Sequence, residues 1–155
     1  MKKIILYLYK YMLEIRHINE SDYYHDYLNL LKQLTKLNTN TIDYNLFTSF
    51  IKGLGVHHQI IVLEDTQTRK IVGTITLLIE QKLIRDYGKV AHIEDVVVDN
   101  NYRGQGLGKK LINEAMKIAK ENNCYKIILD CDNHNIKFYE KCNFEHKGAF
   151  MAHYY

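Results

Sequence analysis

The sequence predicts a single mixed α/β domain, and three observations carry that expectation. At 155 residues the chain has the usual length of one domain and enough material for a substantial core. Its hydrophobic period switches repeatedly between the two-residue alternation of strands and the three- and four-residue steps of amphipathic helices, in the order βααββ-β-α-β-α-β. Between a β-branched run, Val96-Val97-Val98, and a helix-forming stretch lies a turn with glycines at alternate positions, Gly104, Gly106 and Gly108.

Each element has a local reason. Residues 13–18 alternate as a short strand. Ser21 or Asp22 caps a helix through about Leu37, with Tyr24, Tyr27, Leu28, Leu31 and Leu34 on one stripe. Thr41 caps a second helix, carrying Ile42, Leu46, Phe50 and Leu54, that stops at Gly53 or Gly55. Residues 59–63 and 71–80 form a hairpin around the polar turn 64–70. Residues 90–98 are a longer strand, on which strict alternation puts His92, Glu94, Val96 and Val98 on one face and Ile93, Asp95 and Val97 on the other. Residues 106–122 are an amphipathic helix with Leu107, Leu111, Ala115 and Ile118 inward. A fifth strand spans 125–131, a short helix spans 135–142, and one or two closing strands follow from Phe144. Residues 1–11 stand outside this pattern as an N-terminal extension, leaving 12–155 as the domain.

Composition narrows the function classes. A net charge of +3 with lysines spread along the chain gives no nucleic-acid footprint. The apolar run after Lys2-Lys3 ends at Lys10 after six residues with no cleavage site, too short for export or a membrane span. The three cysteines, Cys124, Cys131 and Cys142, form no C-x-x-C pair and indicate a reducing, cytoplasmic setting. The eight histidines show no metal-ligand spacing, so no metal is expected.

The glycine turn holds phosphates by type: backbone N–H groups converge at a helix start, the dipole is positive there, and missing Cβ atoms admit a ligand. A P-loop is excluded because Lys109 is followed by Lys110 rather than a hydroxyl residue, and the Rossmann G-x-G-x-x-G step is also absent. The pattern Arg103-x-x-Gly106-x-Gly108, after a strand and before a helix, resembles the pyrophosphate loop of the GCN5-related N-acetyltransferase (GNAT) superfamily. The resemblance narrows with three further motifs: His92-Ile93-Glu94-Asp95, the run Cys124-Tyr125-Lys126-Ile127-Ile128-Leu129-Asp130-Cys131, and Lys137-Phe138-Tyr139-Glu140-Lys141-Cys142. Together they are similar to the glucosamine-6-phosphate N-acetyltransferase family over nearly all of residues 13–151. That likeness implies a GNAT fold: a mixed sheet of six to seven strands, about four helices, and two parallel strands splayed around acetyl-CoA.

On physical grounds the adjacent carboxylates Glu94 and Asp95 in an apolar run require a polar cavity, a cation or a structural ion pair nearby. Asp130 ends a strand, where ligand sites of open α/β sheets gather, although it also suits a turn cap. A phenol such as Tyr139 either packs in the core or donates a hydrogen bond to developing negative charge. The resemblance resolves these alternatives and implies roles. Tyr139, Asp130 and Glu94 would be catalytic. Coenzyme would be held by Val96, Val97, Val98, Arg103, Gly104, Gln105, Gly106, Leu107, Gly108, Lys109, Tyr139, Glu140 and Lys141. The amino-sugar phosphate would meet Thr35, Lys82, Leu83, Ile84, Arg85, Glu94, Asp95, Val96, Tyr125, Lys126, Asp130 and Tyr154. Tyr154 stands where relatives place an arginine that reaches the phosphate from a partner subunit, so Arg85, Lys126 or His153 must substitute or phosphate is held less tightly.

The implied reaction is direct acetyl transfer from acetyl-CoA to the 2-amino group of glucosamine 6-phosphate by a homodimer, on the route to UDP-N-acetylglucosamine. A weakly basic amine needs only modest help in losing its proton, through Glu94, Asp95 or Asp130. Transfer to another primary amine and non-catalytic acyl-CoA binding are the competing readings.

Overall fold

In the computed structural model, which describes residues 12–155, strands and helices follow the expected order with several changes. The strands are β1 (Leu13–His17), β2 (His58–Asp65), β3 (Lys70–Gln81), β4 (Lys89–Val98) and β5 (Cys124–Ile128). The α-helices are α1 (Tyr27–Leu31), α2 (Tyr44–Gly53), α3 (Ile84–Tyr87), α4 (Leu107–Glu121) and α5 (Ile136–Glu140). The strands form one sheet in the order β1-β2-β3-β4-β5: β1 to β4 are an antiparallel meander, and β5 joins β4 in parallel after the α4 crossover. The N-terminal extension expected over residues 1–11 lies outside the described residues.

β2 and β3 are covered on both faces, which is why they read as near-continuous apolar runs. One face packs against α4 through Leu111, Ile112 and Ala115, all fully buried. The other receives Tyr27 and Leu30 of α1 and Phe47 of α2. Each such Leu, Ile or Phe contributes about 1.5–3 kcal/mol by leaving water. At the sheet edge Arg16 bonds both carboxylate oxygens of fully buried Asp22 and also Glu64, tying the first 3₁₀ turn to the sheet.

Several expectations are corrected. Among the described residues the sheet has five strands rather than six to seven, and there are five α-helices rather than four. No strand follows Phe144: the tail leaves Phe150, Met151 and Tyr154 mostly exposed, and no strand among the described residues pairs with it. The first long helix is broken. Asn19, not Ser21 or Asp22, caps a 3₁₀ turn over Glu20–Tyr24, and Asp26 at φ 67° interrupts the ladder before α1. Asp43 replaces Thr41 as the cap of α2, its carboxylate accepting from the Leu46 amide.

A further correction shapes the site. Between Thr76↔Glu94 and Thr74↔Val97 the β3 strand advances two residues while β4 advances three. The extra residue, Asp95, sits at φ 50° in a β-bulge. The bulge inverts the alternation downstream of it. Ile93, Val96 and Val98 all pack on the α4 side, while Val97 turns to the α1 and α2 side, the face on which Glu94 also lies.

Candidate active site

β4 and β5 pair only from Lys89↔Cys124 to His92↔Ile128, whereas β4 runs on to Val98. Beyond His92 its edge facing β5 has no strand partner, so backbone groups of residues 93–98 line an opening between the two strands. The bulge at Asp95 lies within that opening. A left-handed non-glycine residue costs about 1–2 kcal/mol, and such strain collects where geometry serves a ligand.

The glycine turn stands at the end of β4. Gly104 (φ 77°) and Gly106 (φ 78°) adopt left-handed backbone, and a Cβ on either would point into open space. The first bond of the α4 ladder runs from the Lys110 amide to the Gly106 carbonyl at 3.1 Å, so the amides of Leu107, Gly108 and Lys109 lack intrahelical partners. No acidic residue occupies the first turn of α4; Lys109 and Lys110 do, against the helix dipole, with Arg103 just before them. Cations at a helix N-terminus are unfavourable until an anion arrives. Arg103 is fixed by donating from Nε to the Val98 carbonyl at 3.0 Å. Gly108 has a different job: a Cβ there would come within 3.0 Å of the Phe138 ring, so this glycine lets the segment carrying α5 pack against α4. That packing delivers Tyr139, one residue on, to the edge of the opening. The backbone and charge of this turn therefore fit a diphosphate such as that of acetyl-CoA.

Three acidic groups share the other side. Glu94 is partly buried, and its carboxyl is pushed above the usual glutamate range by burial first, then by the charges of Asp130 and Asp95. Tyr139 is half-buried, its ring edge-on to Phe138 at 4.9 Å and to Phe144 at 6.1 Å. Burial, then Cys131, Cys142 and Asp130, raise its phenol to about 12. Among the described residues no side-chain hydrogen bond engages Glu94, Asp130 or Tyr139. An unpaired acid, Asp130, coupled both to Glu94 and to a phenol that keeps its proton at neutral pH suits an ammonium-bearing acceptor and a developing anion.

The remaining predicted residues form separate groups. Near the start of β5, the Arg85 guanidinium lies 6.0 Å and the Lys126 ammonium 5.8 Å from the Tyr125 ring centre. Val90, the partner of Lys126, precedes Glu94 by four residues, roughly 13 Å along the strand. Lys82 is paired with Glu80, which also bonds His92 at 3.0 Å. Leu83 and Ile84 are exposed. Thr35 lines an open cleft with Lys32, Lys36, Leu37 and Asn38, in the turns that follow α1 rather than at the end of a long helix. Gln105, Glu140 and Lys141 are exposed. Tyr154 lies in the exposed tail and joins none of these groups.

Sequence reasoning missed the bulge, the contact of Phe138 with Gly108, and the brace behind the glycine turn. In that brace Asp99 is 1% exposed, bonding Lys70 at 2.9 Å and the Asn101 amide at 2.9 Å, and the Tyr102 hydroxyl donates to Asp65 at 2.7 Å. Apart from the local Asp99–Asn101 bond, these contacts join residues far apart in the chain, so no local pattern announces them.

A meander with a parallel fifth strand, a gap between β4 and β5, and an anion-binding turn at the gap define the acyl-CoA-dependent N-acetyltransferases. The chain matches the Acetyltransferase (GNAT) family over residues 12–144 and belongs to it. It is 40% identical to glucosamine 6-phosphate N-acetyltransferase 1 of Dictyostelium discoideum over 142 residues, 92% of this chain and 90% of that protein. The crystal structure of glucosamine-6-phosphate N-acetyltransferase from Arabidopsis thaliana superposes with a TM-score of 0.88 at 38% identity, covering 92% of this chain and 98% of that one. An acetyltransferase of Trypanosoma brucei follows at 0.86 and 35%, covering 92% and 99%. Within GNAT, the chain thus belongs to the glucosamine 6-phosphate N-acetyltransferase family.

Proposed function

We propose that this chain transfers the acetyl group of acetyl-CoA directly to the 2-amino group of D-glucosamine 6-phosphate, as a cytoplasmic homodimer on the route to UDP-N-acetylglucosamine. The observation that carries the reading is the juxtaposition of an anion cradle at Gly104–Lys109 with Glu94, Asp130 and Tyr139 across the gap between β4 and β5. Acetyl-CoA supplies an acetyl group already activated as a thioester. The backbone of Val96–Val98 orients it by offering unpaired groups along the strand edge. A backbone N–H at Val96, re-aimed by the bulge, stabilises negative charge on the carbonyl oxygen under attack.

Glu94 accepts the amine proton, directly or through water, while Asp95 and Asp130 hold the ammonium form in place before that step. Tyr139 gives its hydrogen bond to the departing sulfur. Arg85 and Lys126 supply the cations for the sugar phosphate, taking over from the arginine that relatives carry where this chain has Tyr154. The exposed apolar tail (Phe150, Met151, Tyr154) supports a shared interface with a second copy, and three free thiols support a reducing compartment.

A thiol-release assay over an amine panel tests the substrate. Glucosamine 6-phosphate should be acetylated with kcat/KM about 10²-fold or more above free glucosamine, the loss expected when charged hydrogen bonds to a phosphate are forfeited. Equal turnover of the two sugars, or faster turnover of a polyamine or lysine peptide, would replace the acceptor assignment, and no thiol release with any amine would leave a binder.

The raised Glu94 carboxyl makes a pH prediction. The base form accumulates only above the ordinary glutamate range, so kcat/KM should rise with pH along an acid limb displaced upward from about 4.3. Asp130→Asn removes one of the charges responsible and should move that limb down. Folding favours the protonated acid, so its contribution to stability is lost as pH rises through the shifted value. An unmoved limb in Glu94→Gln would take Glu94 out of this role.

A further inference from the structure

We infer that Gln33, an exposed residue just after α1, is a positioning residue that couples the acceptor side of the site to the coenzyme turn. The inference rests on the reading above for what occupies the two sides. The Gln33 side-chain amide bridges two successive residues of the turn between β4 and the glycines. Its Nε2 donates to Asp99 Oδ2 at 3.4 Å, and its Oε1 accepts from the Asn100 amide at 2.9 Å. Gln33 and Asp99 lie 66 positions apart, so the bridge joins two segments distant in the chain.

What lies on either end gives the bridge its consequence. On one side the Gln33 and Thr35 amides donate to the Leu30 and Leu31 carbonyls at 3.0 and 3.1 Å, continuing the α1 turns into the cleft that contains Thr35. On the other side, Asp99 is nearly inaccessible and held by Lys70 at 2.9 Å, and its own amide bonds the Val72 carbonyl at 2.9 Å. Tyr102 closes the turn on Asp99 at 2.8 Å and reaches back to Asp65. Arg103 and the left-handed Gly104 follow at once. The base of the coenzyme turn is thus anchored to β2 and β3 by buried or half-buried groups. Gln33 ties that base directly to the segment bearing Thr35.

A ligand that orders either segment therefore lowers the cost of ordering the other. Coenzyme at the glycine turn fixes Asn100, Asn100 fixes Gln33, and the Thr35 segment is held closer to its bound position. Linkage makes the coupling reciprocal.

The test uses the full-length protein and Gln33→Met, which keeps length and volume without the two hydrogen bonds. Calorimetry measures CoA affinity with and without saturating glucosamine 6-phosphate, and steady-state kinetics measures both KM values. Gln33→Met should weaken CoA binding and raise both KM values roughly 3- to 10-fold, keep kcat within about twofold, and abolish most of the mutual reinforcement between the two ligands. Gln33→Glu, which sets a carboxylate against Asp99 Oδ2, should weaken CoA more than Met does. A purely structural role would lower the melting temperature and leave the KM values and the coupling alone, and that result overturns the inference, as does a fall in kcat with both KM values unchanged. If the parent binds CoA but ignores glucosamine 6-phosphate, the acceptor assignment fails. CoA affinity of the two variants then still decides whether Gln33 positions the turn.

Discussion

Tyr139→Phe should lower kcat about 10²-fold while leaving acetyl-CoA KM within about twofold and the melting temperature nearly unchanged. The ring of Tyr139 belongs to the core, edge-on to Phe138 and Phe144, and phenylalanine preserves all of that packing. Only the hydroxyl is lost. That hydroxyl has no protein hydrogen bond among the described residues, so its removal leaves no buried partner unsatisfied. Its pKa of about 12, raised by burial and by the neighbouring thiols and Asp130, keeps the proton in place at neutral pH. A proton held so firmly is available for donation when a thiolate departs and withheld in the ground state. The loss should therefore fall on kcat. It should grow smaller with an acyl donor whose thiol leaves more readily, because less charge then needs stabilising. A Tyr139→Phe enzyme with wild-type kcat would return this residue to simple packing and move the assistance to a water or to Cys131.

Gly106→Val should weaken CoA binding roughly 10- to 100-fold, measured by calorimetry, with far less effect on the fold. Gly106 is the N-cap of α4 at φ 78°, and a β-branched residue there costs about 1–2 kcal/mol in backbone strain alone. Among the described residues nothing would meet the added Cβ, because the space before it is open. The side chain would instead occupy the volume from which the Leu107, Gly108 and Lys109 amides reach an anion. Charge-assisted bonds to phosphate are among the stronger polar contacts, so displacing the diphosphate from that cradle dominates the outcome. Raising salt should weaken the parent's binding and affect the variant little, because Arg103, Lys109 and Lys110 then have less bound charge to neutralise. Unaltered affinity in Gly106→Val would mean that the diphosphate sits elsewhere.

Much of this enzyme is legible in its sequence because the signals are local. The order of strands and helices follows from period. The cradle follows from glycines between a strand and a basic helix start, since glycine takes the left-handed backbone of Gly104 and Gly106 without cost and an anion offsets the cations at that end of α4. The motifs around Glu94, Asp130 and Tyr139 carry the family likeness, and with it the amino-sugar acceptor. Other features depend on pairing partners that no window of sequence contains. The inserted residue Asp95 inverts the faces of β4 because β3 supplies two residues where β4 supplies three, a mismatch visible only when the strands are side by side. The gap at His92 exists because β5 stops pairing there. The break at Asp26 and the unpaired tail likewise reflect what the sheet and helices leave room for, against a helical period and a strand-like composition. The sequence by itself determined the class of chemistry and supplied the residues proposed to perform it. Tertiary structure alone decided which faces those residues occupy and which of them share an electrostatic environment, because burial, register and Coulomb coupling are properties of neighbours in space rather than along the chain.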